Sequence, residues 1–301
     1  MKFANLFNQR GFPKTSKELS NFADRLRDGK IPCEKNKIVD AIYSVVTVLE
    51  YEFVNSQFIG RTFRKKCYQE MIFTVYKALK NMGVIDFIRV SKEPFQYFSK
   101  RVAEVLRNIR PFHDYQEEFV QEIMNKSGFV TKNNISIAEE TSGTIEKTVL
   151  LFHFKAYLYL LFIEGVFDDI TRLWYFHKYL SINPNYTPIS RDLKRLNVDG
   201  ILHTLRRNSY PIPIFLENWK EKKFWRNAIA HCTVNFDPKK KIIHFVVYDR
   251  LNPEITVYDE FVILHDFQTV CLELEDTLNA FDLGLKVLQM SAELGKNLQT
   301  M

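Results

Sequence analysis

Arg226, Asn227 and His231 stand within six residues of one another, in the run FWRNAIAH. A guanidinium stays charged and grips a phosphate through two parallel hydrogen bonds. An imidazole, with a reference pKa near roughly 6.5, can take or give a proton close to neutral pH. The Asn227 amide can orient either the imidazole or a phosphate. On a helix, Asn227 and His231 are four apart and share a face, while Arg226 sits about 100° round from Asn227. Lys222 is one turn below Arg226, and Lys223 one turn below both Arg226 and Asn227. The five residues make a cationic face that ends in a proton carrier, which suits a phosphodiester. The plainer alternatives are a histidine serving the helix dipole and lysines on a solvated face.

The element that must hold these groups is a helix from Pro213 to Ala230. Proline favours the first turn of a helix, and no glycine or further proline follows before the histidine. Trp225 and Phe224 would fix it against a core. Ahead of it, residues 146–180 are the most apolar run and predict one long helix, or two with a break near Gly165. Asp168 and Arg172 are spaced to pair on its surface. Ser190 can cap a helix over 191–208. After His231 the period changes: 233–236 and 241–248 read as a hairpin, 254–264 as a third strand, and 266–299 as a closing helix. His244 and His265, in this region, read as structural or surface residues. The fold class is therefore mostly α: a helical bundle with a small three-strand insertion before its last helix, preceded by an N-terminal helical region.

The run Arg226-Asn227-Ala228-Ile229-Ala230-His231 resembles the signature of the HEPN ribonucleases: an arginine, a polar residue, a short spacer and a histidine. The resemblance extends from about residue 146 to the C-terminus. It implies an endoribonuclease that uses no metal or other cofactor, with the site in a cleft of a homodimer. The RNA 2′-hydroxyl would attack the adjacent phosphorus, leaving a 2′,3′-cyclic phosphate. Arg226 would stabilise the phosphoryl charge, His231 would move the proton, and Lys222 and Lys223 would hold flanking phosphates. The resemblance also suggests a setting in stress response, antiviral defence or a toxin–antitoxin pair, with an antitoxin or other regulatory partner. Toxins of this kind carry a tyrosine two residues after the histidine; here that place is Thr233. The same bundle could instead hold a nucleotide, an RNA or a protein without turnover, or serve only to dimerise.

The distribution of charge bears on the partner. The net charge is +6, yet residues 141–301 carry 19 basic and 19 acidic groups. Within that half, 191–241 holds +7 and 251–301 holds −7. A basic strip around the motif fits a nucleic-acid backbone, and an internal match between neighbouring helices fits equally. Cys33, Cys67, Cys232 and Cys271 are far apart and show no metal or redox spacing, which reads as a reducing, cytoplasmic compartment. No signal-peptide pattern opens the chain. Residues 148–167 are apolar enough to pass for a membrane span, but Lys155 near the middle argues for a bundle helix and no membrane.

The first half reads as helices at 16–28, 37–55, 61–81, 94–108 and 115–126. A basic cluster at Arg61, Arg64, Lys65 and Lys66 is open to a phosphate or to solvent. The polar stretch 128–143 is the candidate linker, which divides the chain into an N-terminal region, 1–140, and a HEPN-like domain, 141–301.

Overall fold

The computed structural model describes residues 2–30, 35–55, 61–93, 137–183 and 195–299, with 96, 97, 100 and 104 besides. The described residues are mostly helical, with one three-stranded antiparallel sheet before the final helix, as the sequence predicts. They form two compact units that interleave along the chain: Met1–Lys100, Asp169–Glu217 and Glu275–Met301 in the first, Arg101–Asp168 and Asn218–Leu274 in the second. The single cut near residue 140 instead falls inside the helix Ile137–Phe162. Residues 137–143 of the expected linker are its first turns; a polar run without proline is carried along by the helix that follows it. The rest of that linker, the predicted helix 115–126 and most of 94–108 lie outside the described residues.

In the first unit, Lys35–Asn55 is a helix despite its β-branched residues, because its apolar positions recur at helical spacing. Ile42, Val46 and Leu49 are fully buried on one face. Arg61–Tyr68 runs into a π-turn, Gln69–Phe73, then Thr74–Met82, which stops at Gly83 with φ 80°. The Tyr68 hydroxyl donates to the Val46 carbonyl at 2.6 Å, and the Trp174 indole to the Glu70 carbonyl at 2.7 Å. Arg64 of the basic cluster is not a surface group. Its Nη2 lies 2.6 Å from the Asp276 carboxylate, both side chains are buried, and its guanidinium lies over the Phe53 ring. Burial pushes the Asp276 carboxyl up even with the Arg64 cation beside it. Arg10 and Asp282 form a second ion pair. Two acids of the closing helix, Leu264–Gln299, are thus taken by N-terminal arginines rather than by the basic strip 191–241.

Of the helix expected over 191–208, residues 191–194 lie outside the described residues, Arg195 is helical, and a helix runs over Val198–Arg207. Asn197 caps this helix by accepting from the Gly200 amide at 2.8 Å; Ser190, the expected cap of a helix from Arg191, lies outside the described residues.

The second unit is a sheet laid on two helices. Strands Val234–Asp237, Ile242–Tyr248 and Thr256–Ile263 (β1, β2 and β3) pair antiparallel in the order β1-β2-β3. The Asp237 carboxylate accepts from the Lys239 and Lys240 amides and closes the first turn; Asp249 does the same for Leu251 and Asn252 in the second. His244 pairs with Asp259 across β2 and β3 at 2.7 Å. The inner face of the sheet carries an aromatic core: Phe236 stacks on Phe152, Phe245 on Trp225, and Phe267 lies against Tyr159, Trp225 and Phe245. Rings of this size carry most of the burial energy in so small a core.

Helix Ile137–Phe162 continues through a π-turn, Ile163–Phe167, into Asp168–Ile182. The helix is therefore unbroken at Gly165, and one extra residue is absorbed there as a bulge. By length and composition alone, Thr148–Ile182 is long and apolar enough to cross a membrane, and 39% of its most apolar window is buried.

Candidate functional site

The motif helix is shorter than the sequence implied. Pro213 leads only into a 3-10 turn, Ile214–Leu216. Glu217 is then extended and Asn218 takes a left-handed φ of 55°, so the helix proper is Trp219–Ala230. Asparagine tolerates that conformation better than other non-glycine residues, which is why the break falls there. Trp219 opens the helix with its indole stacked on Phe167 of the π-turn, ring centroids 5.1 Å apart and 3° from parallel.

The other end is closed by a Schellman motif. His231 is the C-cap, and Cys232 follows at φ 55°. The Cys232 amide donates to the Ile229 carbonyl at 3.2 Å, and the Thr233 amide to the Ala228 carbonyl at 2.9 Å. The Thr233 hydroxyl donates to the Val246 carbonyl at 2.5 Å, tying the helix end to β2. The backbone carrying His231 is thereby held on both sides.

Lys222 does not belong to the exposed face. It is buried, with 4% of its surface accessible, and its carbonyl accepts from the Tyr159 hydroxyl at 2.7 Å. The phase of the helix explains this. Lys222 sits one turn from both Trp219 and Trp225, on the side that packs inward. Lys222, expected to hold a flanking phosphate, is therefore turned away from the surface where one would lie. Lys223 is half-buried. Burial pushes the Tyr159 phenol well above its usual value, so it stays a neutral donor.

Arg226, Asn227 and His231 reach the surface to different degrees. The Arg226 side chain is 29% exposed, and its Nη1 lies 2.7 Å from the Glu164 carboxylate, which is 55% exposed. The Arg226 Nε is enclosed and has no hydrogen-bond partner. Asn227 is half-buried and His231 exposed. Residues five apart on a helix lie about 140° round and about 7.5 Å along the axis. One copy of the chain therefore presents the guanidinium and the imidazole on two flanks of the helix end, with Asn227 between them.

Glu164 is the residue that sequence reasoning missed. It stands in the π-turn, inside the apolar run. The available signal was a carboxylate beside Gly165 in an otherwise greasy helix. Arg172, spaced to pair along the surface of the same run, lies 3.0 Å from the Asp169 carboxylate and donates to the Leu196 carbonyl. The π-turn changes the phase of the helix, and it is this shift that spacing rules cannot foresee.

The arrangement has a rigid helix end, a guanidinium with one edge on a carboxylate, and an exposed imidazole. It can hold an anion and exchange a proton. Among the described residues no group of three or more His, Cys, Asp or Glu converges as a metal site would. Comparison with protein-family models, with curated proteins and with solved structures finds no match for the chain.

Proposed function

We propose that the protein is a metal-independent, HEPN-like endoribonuclease of the cytoplasm, acting as a two-fold dimer. The observation that carries this reading is a partly exposed Arg226, oriented by Glu164, on the same fixed helix end as an exposed His231. The RNA 2′-hydroxyl attacks the adjacent phosphorus, giving up its proton to a base. The bond to the 5′-oxygen breaks, and that oxygen takes a proton. Arg226 stabilises the charge on the phosphoryl oxygens, and His231 serves one of the proton transfers. The second transfer, and the 140° between the two groups, call for a second copy. A two-fold axis would set the arginine of one protomer near the histidine of its partner.

A second reading is favoured by one observation. Glu164 already occupies an edge of Arg226. A site held this way could bind RNA or an acidic partner without turnover. Incubating RNA with the protein in EDTA separates the two. Cleavage that leaves 2′,3′-cyclic ends, and that is lost in both Arg226→Ala and His231→Ala, supports the nuclease. Equal cleavage by wild type and the double variant would remove the site assignment.

A further inference from the structure

We propose that Phe224 and Tyr258 form a stacking platform for one unpaired base of the RNA strand that the Arg226–His231 end of the helix holds by its backbone. This rests on the reading of that end as an RNA site. Phe224 lies about 20° round the helix from His231 and about 10 Å below it along the axis, with Asn227 about 60° from Phe224. A neighbouring nucleotide of a strand whose phosphate sits at Asn227 and His231 therefore brings its base over this ring.

The two rings are stacked, with centroids 4.6 Å apart and planes 19° from parallel. Both residues are half-buried, with part of their surface open to solvent. The Trp225–Phe245 stack beside them is buried, as a purely structural pair should be. The platform is also pinned. The Trp225 indole donates to the Tyr258 hydroxyl at 2.9 Å, and that hydroxyl donates to Glu260. A ring fixed before binding loses little entropy when a base settles on it.

Charge decides which part of a nucleotide belongs here. The Lys220 ammonium lies over the Phe224 ring, 5.8 Å from its centre, and swings aside to a flanking phosphate when a base takes its place. The Glu260 carboxylate at the Tyr258 hydroxyl repels a phosphate but can accept from the exocyclic amine of a base. The backbone is thus directed to the Arg226 side, and the base to the rings. A duplex keeps its bases stacked on each other and offers the platform no free face, so the site selects single strands.

The test uses a short single-stranded 2′-O-methyl RNA carrying 2-aminopurine, which binds but cannot be cut. With the wild-type protein the fluorescence is expected to be quenched, and the same strand in a duplex is expected to bind less tightly. Phe224→Leu should weaken binding roughly ten-fold and abolish the quench, as loss of one base stack does. Phe224→Tyr should restore both. Tyr258→Ile gives a second route should Phe224→Leu fail to fold, as judged by thermal melting. Equal binding and quenching by the leucine or isoleucine variants overturns the platform, as does equal affinity for duplex. Cleavage of unmodified RNA is measured in parallel. A ring-dependent quench without cleavage removes the nuclease and leaves the platform. Cleavage with no dependence on the rings does the reverse.

Discussion

The molecule uses one set of groups twice: an arginine held by a carboxylate, with a histidine in the same unit. In the first unit, Arg64 and Asp276 are sealed, with side-chain exposures of 6% and 7%. His177 there is buried among Phe87, Phe176 and Trp174, and its Nε2 has no partner. Burial holds its pKa down at about 3. In the second unit, Arg226 and Glu164 are open at 29% and 55%, and His231 lies on the surface. The same residue types are therefore ballast in one place and available for chemistry in the other. Burial, not composition, makes the difference. An ion pair without water is costly to break, and one with water on it can exchange partners.

The largest expected effect breaks this contrast at the arginines. Arg64→Ala leaves the Asp276 carboxylate buried and alone, and should cost ~3–5 kcal/mol of stability in urea unfolding. Arg226→Ala should cost ~1 kcal/mol or less while removing cleavage. Equal losses of stability would mean that Arg226 is as structural as Arg64.

The histidines sharpen it through pH. His177 is neutral in the folded chain, and its folded pKa of about 3 lies below the reference value of about 6.5. The unfolded state therefore binds the extra proton as pH falls below about 6.5, and stability drops until about pH 3. By about pH 4 the loss assigned to this group is ~3 kcal/mol. The difference in unfolding free energy between wild type and His177→Phe, measured at about pH 7 and about pH 4, should show it.

A smaller effect concerns Glu164. Glu164→Gln should alter stability by no more than ~1 kcal/mol, because the pair is solvent-exposed. It should also tighten RNA binding, since the carboxylate no longer competes with phosphate, and slow cleavage, since Arg226 loses its guide. Weaker binding by this variant would show that the carboxylate does not compete. The smallest effect is at the helix end. Cys232→Gly relieves a left-handed φ and should raise stability by ~1 kcal/mol at most, seen as a small rise in Tm, with cleavage unchanged.

Much of the second unit was legible from residues alone. Alternating β-branched and aromatic residues after His231 marked the strands, Asp237-Pro238 and Asn252-Pro253 their turns, and recurring apolar positions the closing helix. Asn227, Arg226 and His231 were visible because their spacing is local. Lys222 was misplaced because five polar or charged residues in one stretch look alike until the tryptophans choose the inward face. Whether Arg64 and Arg226 are sealed or open was likewise invisible.

The sequence by itself determined the helical bundle, the three strands and the three polar groups at the end of one helix. These follow from periods of two and 3.6 residues and from turn chemistry, which act over a few neighbours. Only the tertiary structure decided that Glu164 meets Arg226, that Lys222 turns inward and that one histidine is buried while another is free. Those outcomes depend on how a π-turn rephases one helix against another, and on how much water each charge keeps. Both are properties of packing between segments far apart in the chain.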